Sequence, residues 1–366
     1  MMRKEGIELV VNRLDLVFKK PAKTSRDTLL SKPSWILIAT DQNGRRGWGE
    51  CSIIPGLSLD EPLEIERVLS SFQRGGYLDL NDISDDLPAL RMAIEMVLLG
   101  LENPDPFIFY GGAFARGERH ISINGLIWMD EVEGMMQQAE KLISSGFQTL
   151  KLKVGSMPFA EELAWLKTLR ELAPASAGFT LRVDANGAFS QTEAGWTPLQ
   201  KLEALAELEV HSIEQPLRPA DAGLAELCRN SPVPVALDES LIGLAGPAIE
   251  EVLDKVRPHF LVLKPSLLGG FSRCQKIIDA ADERGIRWWI TSALESNLGL
   301  NAIAQWTADG IRSAPNPLPQ GLGTGGLFLN NVEGPLLADR GLLQTQPDVP
   351  WVMPKVQPWN RLEGIE

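Results

Sequence analysis

The sequence predicts an α/β barrel preceded by a smaller α+β module. Three observations carry this expectation: a repeat of strand-plus-helix length through the second part of the chain, a polar residue near the C-terminal end of almost every strand in that repeat, and a hairpin-like pattern before it. At 366 residues the chain exceeds the roughly 250–300 residues at which a single core stops growing, so two domains are the default expectation.

From about residue 6 to 50, apolar and polar residues alternate in "IELVVNRLDLVF", "WILIATD" and "RRGWGEC", which predicts an antiparallel meander. Two helical patterns follow: "SLDEPLEIERVLSSFQ", opening with Ser58 and acids, and the amphipathic "DLPALRMAIEMVLLGLEN". The Gly-rich, charged "YGGAFARGER" reads as a linker. Beyond it, strands are predicted at 120–128, 148–155, 179–186, 210–216, 234–240, 260–266 and 287–293, their starts separated by 28, 31, 31, 24, 26 and 27 residues. That is the length of one strand-plus-helix unit, shared by barrels and doubly wound sheets. Polar residues decide for the barrel: Asn124, Lys151 with Lys153, Asp184 with Asn186, Glu214, Asp238, Lys264 and Ser292 lie near the strand ends. In a barrel all those ends surround one mouth, whereas in an open sheet only the strands beside the switch point converge. The expected organisation is a module over 1–115, a barrel over 116–330, and a C-terminal segment, 331–366, packing back on the first module.

Composition narrows the partners. With 44% hydrophobic and 23% charged residues, the chain reads as globular. Its formal net charge of −13 argues against nucleic acid or an anionic membrane surface, both of which need clustered cations. A small-molecule partner is expected. Cys51, Cys228 and Cys274 are widely separated and form neither a disulfide framework nor a zinc pattern, which suits the cytoplasm. The first twenty residues interrupt their apolar positions with Glu8, Arg13 and Asp15, so no signal-peptide core is expected there. No uncharged run approaches the ~20 residues of a membrane span. Oligomeric state is not legible.

Within "TLKLKVG" (149–155), Lys151 and Lys153 share one face of the strand, and Leu150, Leu152 and Val154 share the other. In a barrel strand the apolar set meets the helices, leaving both lysines pointing inward. Alone, the pattern equally describes an edge strand with a solvated lysine face. Two ammonium groups at i and i+2 repel, and burial adds to the penalty, so one pKa is expected to fall toward neutrality and furnish a general base. Asp184, Glu214 and Asp238 follow, one per strand. Three hard carboxylates without His or Cys suit Mg²⁺, with Mn²⁺ as a substitute, and not zinc. Each acid has an alternative use as a helix cap, weakest for Glu214, which is followed by Gln-Pro. Strand alternation admits Asp238 or Glu239 to the lumen; Asp238 is chosen, with Glu239 behind it. Lys264 supplies an opposed cation. A lysine base, a divalent ion and a second cation together suit proton abstraction α to a carboxylate.

These residues lie in "KLK" (151–153), "VDANG" (183–187), "IEQP" (213–216), "ALDES" (236–240) and "LKPSLLGG" (263–270). On them, over nearly the whole chain, the sequence resembles the enolase superfamily in its muconate-lactonising subgroup. Within it, "GWGECSIIPGLS" (47–58), "INGLIWM" (123–129), "SALESNLGLNAIAQW" (292–306) and "GLGTGGLFLNN" (321–331) are similar to the o-succinylbenzoate synthases of menaquinone biosynthesis. The resemblance implies a modified TIM barrel, (β/α)7β, beneath an α+β capping domain. It implies Asp184, Glu214 and Asp238 as Mg²⁺ ligands and a lyase that dehydrates a succinyl-hydroxycyclohexadiene carboxylate. Lys153 would take the α proton and return it to the leaving hydroxyl on the same face, with Lys151 beside it. Lys264 would stabilise the enediolate from the other face. Ser292, the backbone of Gly321, Gly323 and Thr324, and Asn186 would contact substrate. Loops near Lys20–Thr28 and Ser52–Leu57 would close over it.

Other readings use the same residues. An N-acylamino-acid racemase or dipeptide epimerase would employ both lysines as acid and base. A Schiff-base aldolase needs a barrel lysine but no carboxylate triad, and a non-catalytic barrel would be indifferent to Lys153→Ala. Gly321, Gly323 and Gly326 match G-x-G-x-x-G without the strand-helix unit that a dinucleotide site requires. They read instead as a tight turn presenting backbone N–H groups to an anion. The tryptophans, including Trp288 and Trp289, are expected in the core.

Overall fold

The computed structural model describes residues 3–23, 28–313, 316, 318–353 and 357–358. The chain begins with β1 (Arg3–Glu5), β2 (Glu8–Lys23), β3 (Thr28–Thr40), β4 (Arg46–Ser52), α1 (Pro62–Gly75), β5 (Tyr77–Asp79) and α2 (Pro88–Gly100). β2, β3 and β4 form an antiparallel sheet, while β1 pairs with β5. Alternation along β3 and β4 divides the sheet into two useful faces. Trp35, Leu37, Ala39 and Cys51 enter the cap's own core with residues of α1 and α2. Ile36 faces the other way, into the core shared with the barrel. α2 lies so close on β4 that a Cβ at Gly49 would sit 2.2 Å from the carbonyl oxygen of Ala93, which is why glycine stands there.

The string "FKKPAKTSRDT", expected as a loop, is mostly strand. β2 continues through Lys23 and β3 starts at Thr28, with an irregular register between Val17 and Ala22. Residues 24–27 of the expected closing loop lie outside the described residues.

After β6 (Ile121–Ser122), the parallel strands β7 (Gly125–Ile127), β8 (Thr149–Lys153), β9 (Thr180–Asp184), β10 (Ser212–Glu214), β11 (Val235–Leu237), β12 (Phe260–Leu263) and β13 (Arg287–Ile290) are hydrogen-bonded in sequence order. The helices between and after them are α3 (Val132–Ser144), α4 (Phe159–Leu172), α5 (Pro198–Ala206), α6 (Leu224–Asn230), α7 (Pro247–Val256), the short α8 (Pro265–Leu268), α9 (Phe271–Glu283) and α10 (Asn297–Gln305). Residues 320–321 close the cylinder. Gln320 bridges Ile123 and Gly321 bridges Thr291, both in parallel, so the segment stands between the first and last strands as an eighth. Gly321 is therefore in a ladder and not a turn: its N–H donates to Ile290 O at 2.8 Å.

Beneath the mouth, Ala236, Phe260, Val262 and Trp289 form a buried floor inside the cylinder. The guanidinium of Arg182 lies 4.3 Å from the Trp289 ring centre. The last part of the chain divides. β14 (Leu336–Asp339) and β15 (Leu342–Thr345) pair with β6 at the start of the barrel, while β16 (Gln357–Pro358) pairs with β2 of the cap. Among the described residues no helix is long and apolar enough to cross a membrane.

Candidate active site

Lys151 and Lys153 point into the cylinder from β8, while Leu150 and Leu152, both fully buried, pack outward against the helices, as the alternation requires. Asp184 ends β9, Glu214 ends β10, Asp238 follows β11 and Lys264 follows β12. With eight strands in the closed ring, β8 and β12 are four steps apart in either direction. The two lysine-bearing strands are thus diametrically opposite, and the three acids occupy one arc between them.

Lys151 Nζ donates to Glu214 and lies 3.1 Å from Asp184 Oδ2. Lys153 Nζ lies 3.6 Å from the same Asp184 oxygen and donates to Asn186 Oδ1. Lys264 donates to Asp238. Asn186 in turn donates to Glu239 Oε1 at 2.8 Å. Gln215 fastens the acid-bearing strand ends together. Its Oε1 accepts from the amides of Asp238 and Ser240, both at 3.1 Å, and its Nε2 donates to Leu217 O and Ser240 Oγ. Asn186 and Gln215 both take left-handed backbone, φ 44° and 40°, local strain of a kind that gathers at functional sites.

Electrostatics corrects one expectation. Burial favours a neutral Lys151, as the sequence suggested, but the charges of Asp184, Glu214 and Asp238 outweigh it and raise its pKa. Lys264 is likewise raised: burial opposes its charge, and Asp238 and Glu239 more than compensate. Burial pushes Glu214 up despite Lys151, with Asp184 and Asp238 adding to the shift. Asp184 is buried too, yet Lys151, Lys153 and Lys264 hold its carboxyl well below the usual range.

The choice between Asp238 and Glu239 also resolves differently. β11 stops at Leu237, so strand alternation no longer applies, and Glu239 lines the same cavity as Lys264, Asp184 and Asn186.

The oxygen chemistry fits a hard divalent cation. Asp184, Glu214 and Asp238 come from neighbouring strands, and Glu214 Oε1 is buried without a hydrogen-bond partner. Among the described residues no three acids already converge as a ligand set, because the ammonium of Lys151 sits between Asp184 and Glu214. An ion there would take over contacts the lysine now makes.

The cavity, about 140 Å³, has room for a small carboxylate and not for a dinucleotide. Lys151, Lys153, Asp184, Asn186, Glu239 and Lys264 line one side; Ser292, Gly321, Gly323 and Thr324 line the other. Ser292 Oγ is engaged, donating to Glu295 Oε2 at 2.7 Å and accepting from Leu294 N and Thr324 Oγ1. Ile54, Pro55 and Leu57 cover the cavity from the cap.

Sequence reasoning set Asn124 at the mouth without giving it a part in binding, and did not pick out Trp128 as a wall residue. The predicted strand 120–128 is broken between β6 and β7, and Asn124 falls in the break. Its Oδ1 is buried and unpartnered, a signal available only in three dimensions.

Comparison with known proteins gives a consistent set of relatives. Residues 134–323 match the family model described as enolase C-terminal domain-like. The chain is 44% identical to an o-succinylbenzoate synthase from Desulfotalea psychrophila (strain LSv54 / DSM 12343), over 92% of this chain and 99% of the relative. It is 28% identical to an L-Ala-D/L-Glu epimerase from Bacillus subtilis (strain 168), over 82% of this chain and 84% of the other. The crystal structure of MenC from Desulfotalea psychrophila LSv54 superposes with a TM-score of 0.80 at 41% identity, covering 93% of this chain and 100% of that one.

Proposed function

The chain belongs to the enolase superfamily and, within it, to the o-succinylbenzoate synthases, and from that premise we propose how its pocket performs the dehydration. The observation that carries the proposal is the placement of Lys153 and Lys264 at opposite strands of one closed ring, both lining the cavity that Asp184 also lines.

The substrate, a succinyl-hydroxycyclohexadiene carboxylate, lies with its ring between the two lysines and its ring carboxylate toward the arc of Asp184, Glu214 and Asp238. Those three residues would hold Mg²⁺, or Mn²⁺ in its place, which supplies positive charge opposite the carboxylate as its α carbon becomes electron-rich. Lys153 Nζ removes the α proton, and the C–H electron pair moves into the carboxylate to give the enediolate. Lys264 remains protonated between Asp238 and Glu239 and stabilises that charge from the opposite face. The electrons then return to form the ring double bond as the C–O bond to the hydroxyl breaks. Lys153 gives its new proton to the departing oxygen on the same face, so the products are water and o-succinylbenzoate and the amine is restored. Asn186 accepts from Lys153 and orients it. Lys151, beside the acids and yielding its present contacts with Asp184 and Glu214 to the ion, keeps its proton and offsets their negative charge.

The arc free of acids, from Asn124 through Ser292 to Thr324, receives the succinyl arm beneath Ile54, Pro55 and Leu57. Three free, buried cysteines suit a cytoplasmic setting for this chemistry.

Following o-succinylbenzoate release by purified protein with Mg²⁺, before and after EDTA, tests the proposal. Turnover that EDTA abolishes and Mg²⁺ restores is expected. Absence of product together with racemisation of an N-succinylamino acid would replace this reading with the epimerase one.

A further inference from the structure

Alternation on β3 and β4 leaves Lys32, Ser34, Glu50 and Ser52 facing the barrel, and each is buried. Lys32 is 1% exposed. Its Nζ donates to Ser52 Oγ at 2.6 Å within the cap and to Leu294 O at 2.8 Å in the barrel, with Ala293 O at 3.5 Å. These partners sit at the two walls of the pocket. Ser52 immediately precedes the segment whose Ile54, Pro55 and Leu57 cover the cavity, and Ala293 and Leu294 form part of the barrel wall.

The barrel wall needs holding. Leu294 has φ 63°, a left-handed conformation that strains a residue carrying a Cβ. Its N–H donates to Ser292 Oγ and its carbonyl accepts from Lys32. Burial draws the Lys32 pKa down to about 8, against the charges of Glu295 and Glu50, so the ammonium persists at neutral pH. Glu295 and Glu50 are themselves fully buried. The same Glu295 accepts from Ser292 and from Ser266, two residues beyond Lys264.

We infer that Lys32 is a positioning residue that sets the spacing between the cap wall and the barrel wall of the pocket, and so governs how tightly the substrate is held without touching it. This rests on the pocket being the site of reaction. A cluster serving only to stabilise the fold would lower the unfolding temperature and leave ligand affinity unchanged; a spacer changes affinity while the chemical step, carried by Lys153 and Lys264, proceeds.

The test uses the Mg²⁺-loaded enzyme and Lys32→Met, with o-succinylbenzoate binding measured by calorimetry beside steady-state turnover, well below the unfolding temperature. Expected are a rise of about tenfold or more in both the product Kd and KM, with kcat within about threefold of wild type. Unchanged Kd and KM in a folded variant overturn the inference. Should Lys32→Met fail to fold, Ser52→Ala removes one anchor, and a rise of about threefold in Kd is expected; no rise overturns it. Wild-type protein that binds product but does not turn over substrate refutes the proposed reaction and leaves the spacing comparison intact. Wild-type protein that binds neither refutes both.

Discussion

Glu50→Ala tests how the cap is fastened to the barrel. The Glu50 carboxylate is fully buried and reaches from β4 to the start of α10, accepting from Ser296 N and Gly299 N, each at 2.9 Å, and from the hydroxyls of Ser296 at 2.5 Å and Ser34 at 3.2 Å. Glycine at 299 permits the approach, since a Cβ there would lie 2.9 Å from Glu50 Oε2. Ser34 keeps a neighbour in Ser52 Oγ at 2.6 Å, so the loss falls chiefly on the two backbone donors. Bonds to a charged acceptor contribute about 1.5–3 kcal/mol each, giving about 3–6 kcal/mol for alanine. Glu50→Gln keeps an acceptor and should lose about 1–2 kcal/mol. Losing the counter-charge adds little, because Lys32, with a pKa already near 8, can release its proton. Urea unfolding followed by tryptophan fluorescence and circular dichroism measures the change. A folded alanine variant that loses less than about 1 kcal/mol refutes the reasoning.

Asp60 gives a pH signature. Its carboxylate caps α2 through the amides of Ala89 and Leu90, and burial, outweighing those donors, pushes its pKa from 3.8 to about 7. The folded value exceeds the unfolded one, so the group's contribution is full below 3.8 and is lost as pH rises through about 7. Asp60→Asn should therefore gain stability over wild type across that window, on the order of 2 kcal/mol by pH 8, in denaturant titrations at stepped pH; a difference that does not vary with pH counts against it. Asp184→Asn should weaken Mn²⁺ binding about 100-fold, read by electron paramagnetic resonance of free Mn²⁺ without any turnover. Unaltered Mn²⁺ affinity removes Asp184 from the ligand set.

What the sequence revealed follows from which interactions have a period. Lys151, Lys153, Asp184 and Glu214 were legible because strand alternation and the recurring strand-plus-helix length fix their face and height. Asp238 was legible too, but that Glu239 also lines the cavity was not, since alternation says nothing once β11 has ended. The charge state of Lys151 depends on acids 33 to 87 positions away along the chain, so a local repulsion argument pointed the wrong way. Gly321 looked like a turn because no helix follows it; the open edge between β7 and β13, invisible in one dimension, makes it a strand. Lys32, Glu50 and Glu295 carried no signal, for each reads as an ordinary charge on a half-exposed element. Only the meeting of cap and barrel buries them.

The central claim is that the amine of Lys153 takes the substrate's α proton. Its most direct test is single-turnover formation of o-succinylbenzoate by Mg²⁺-loaded wild type and Lys153→Ala, with Mn²⁺ binding measured on both. The account predicts product from wild type, a loss of about 10⁴-fold or more in the variant, and Mn²⁺ affinity within a few-fold of wild type. A variant that still forms product at a rate near wild type would contradict it.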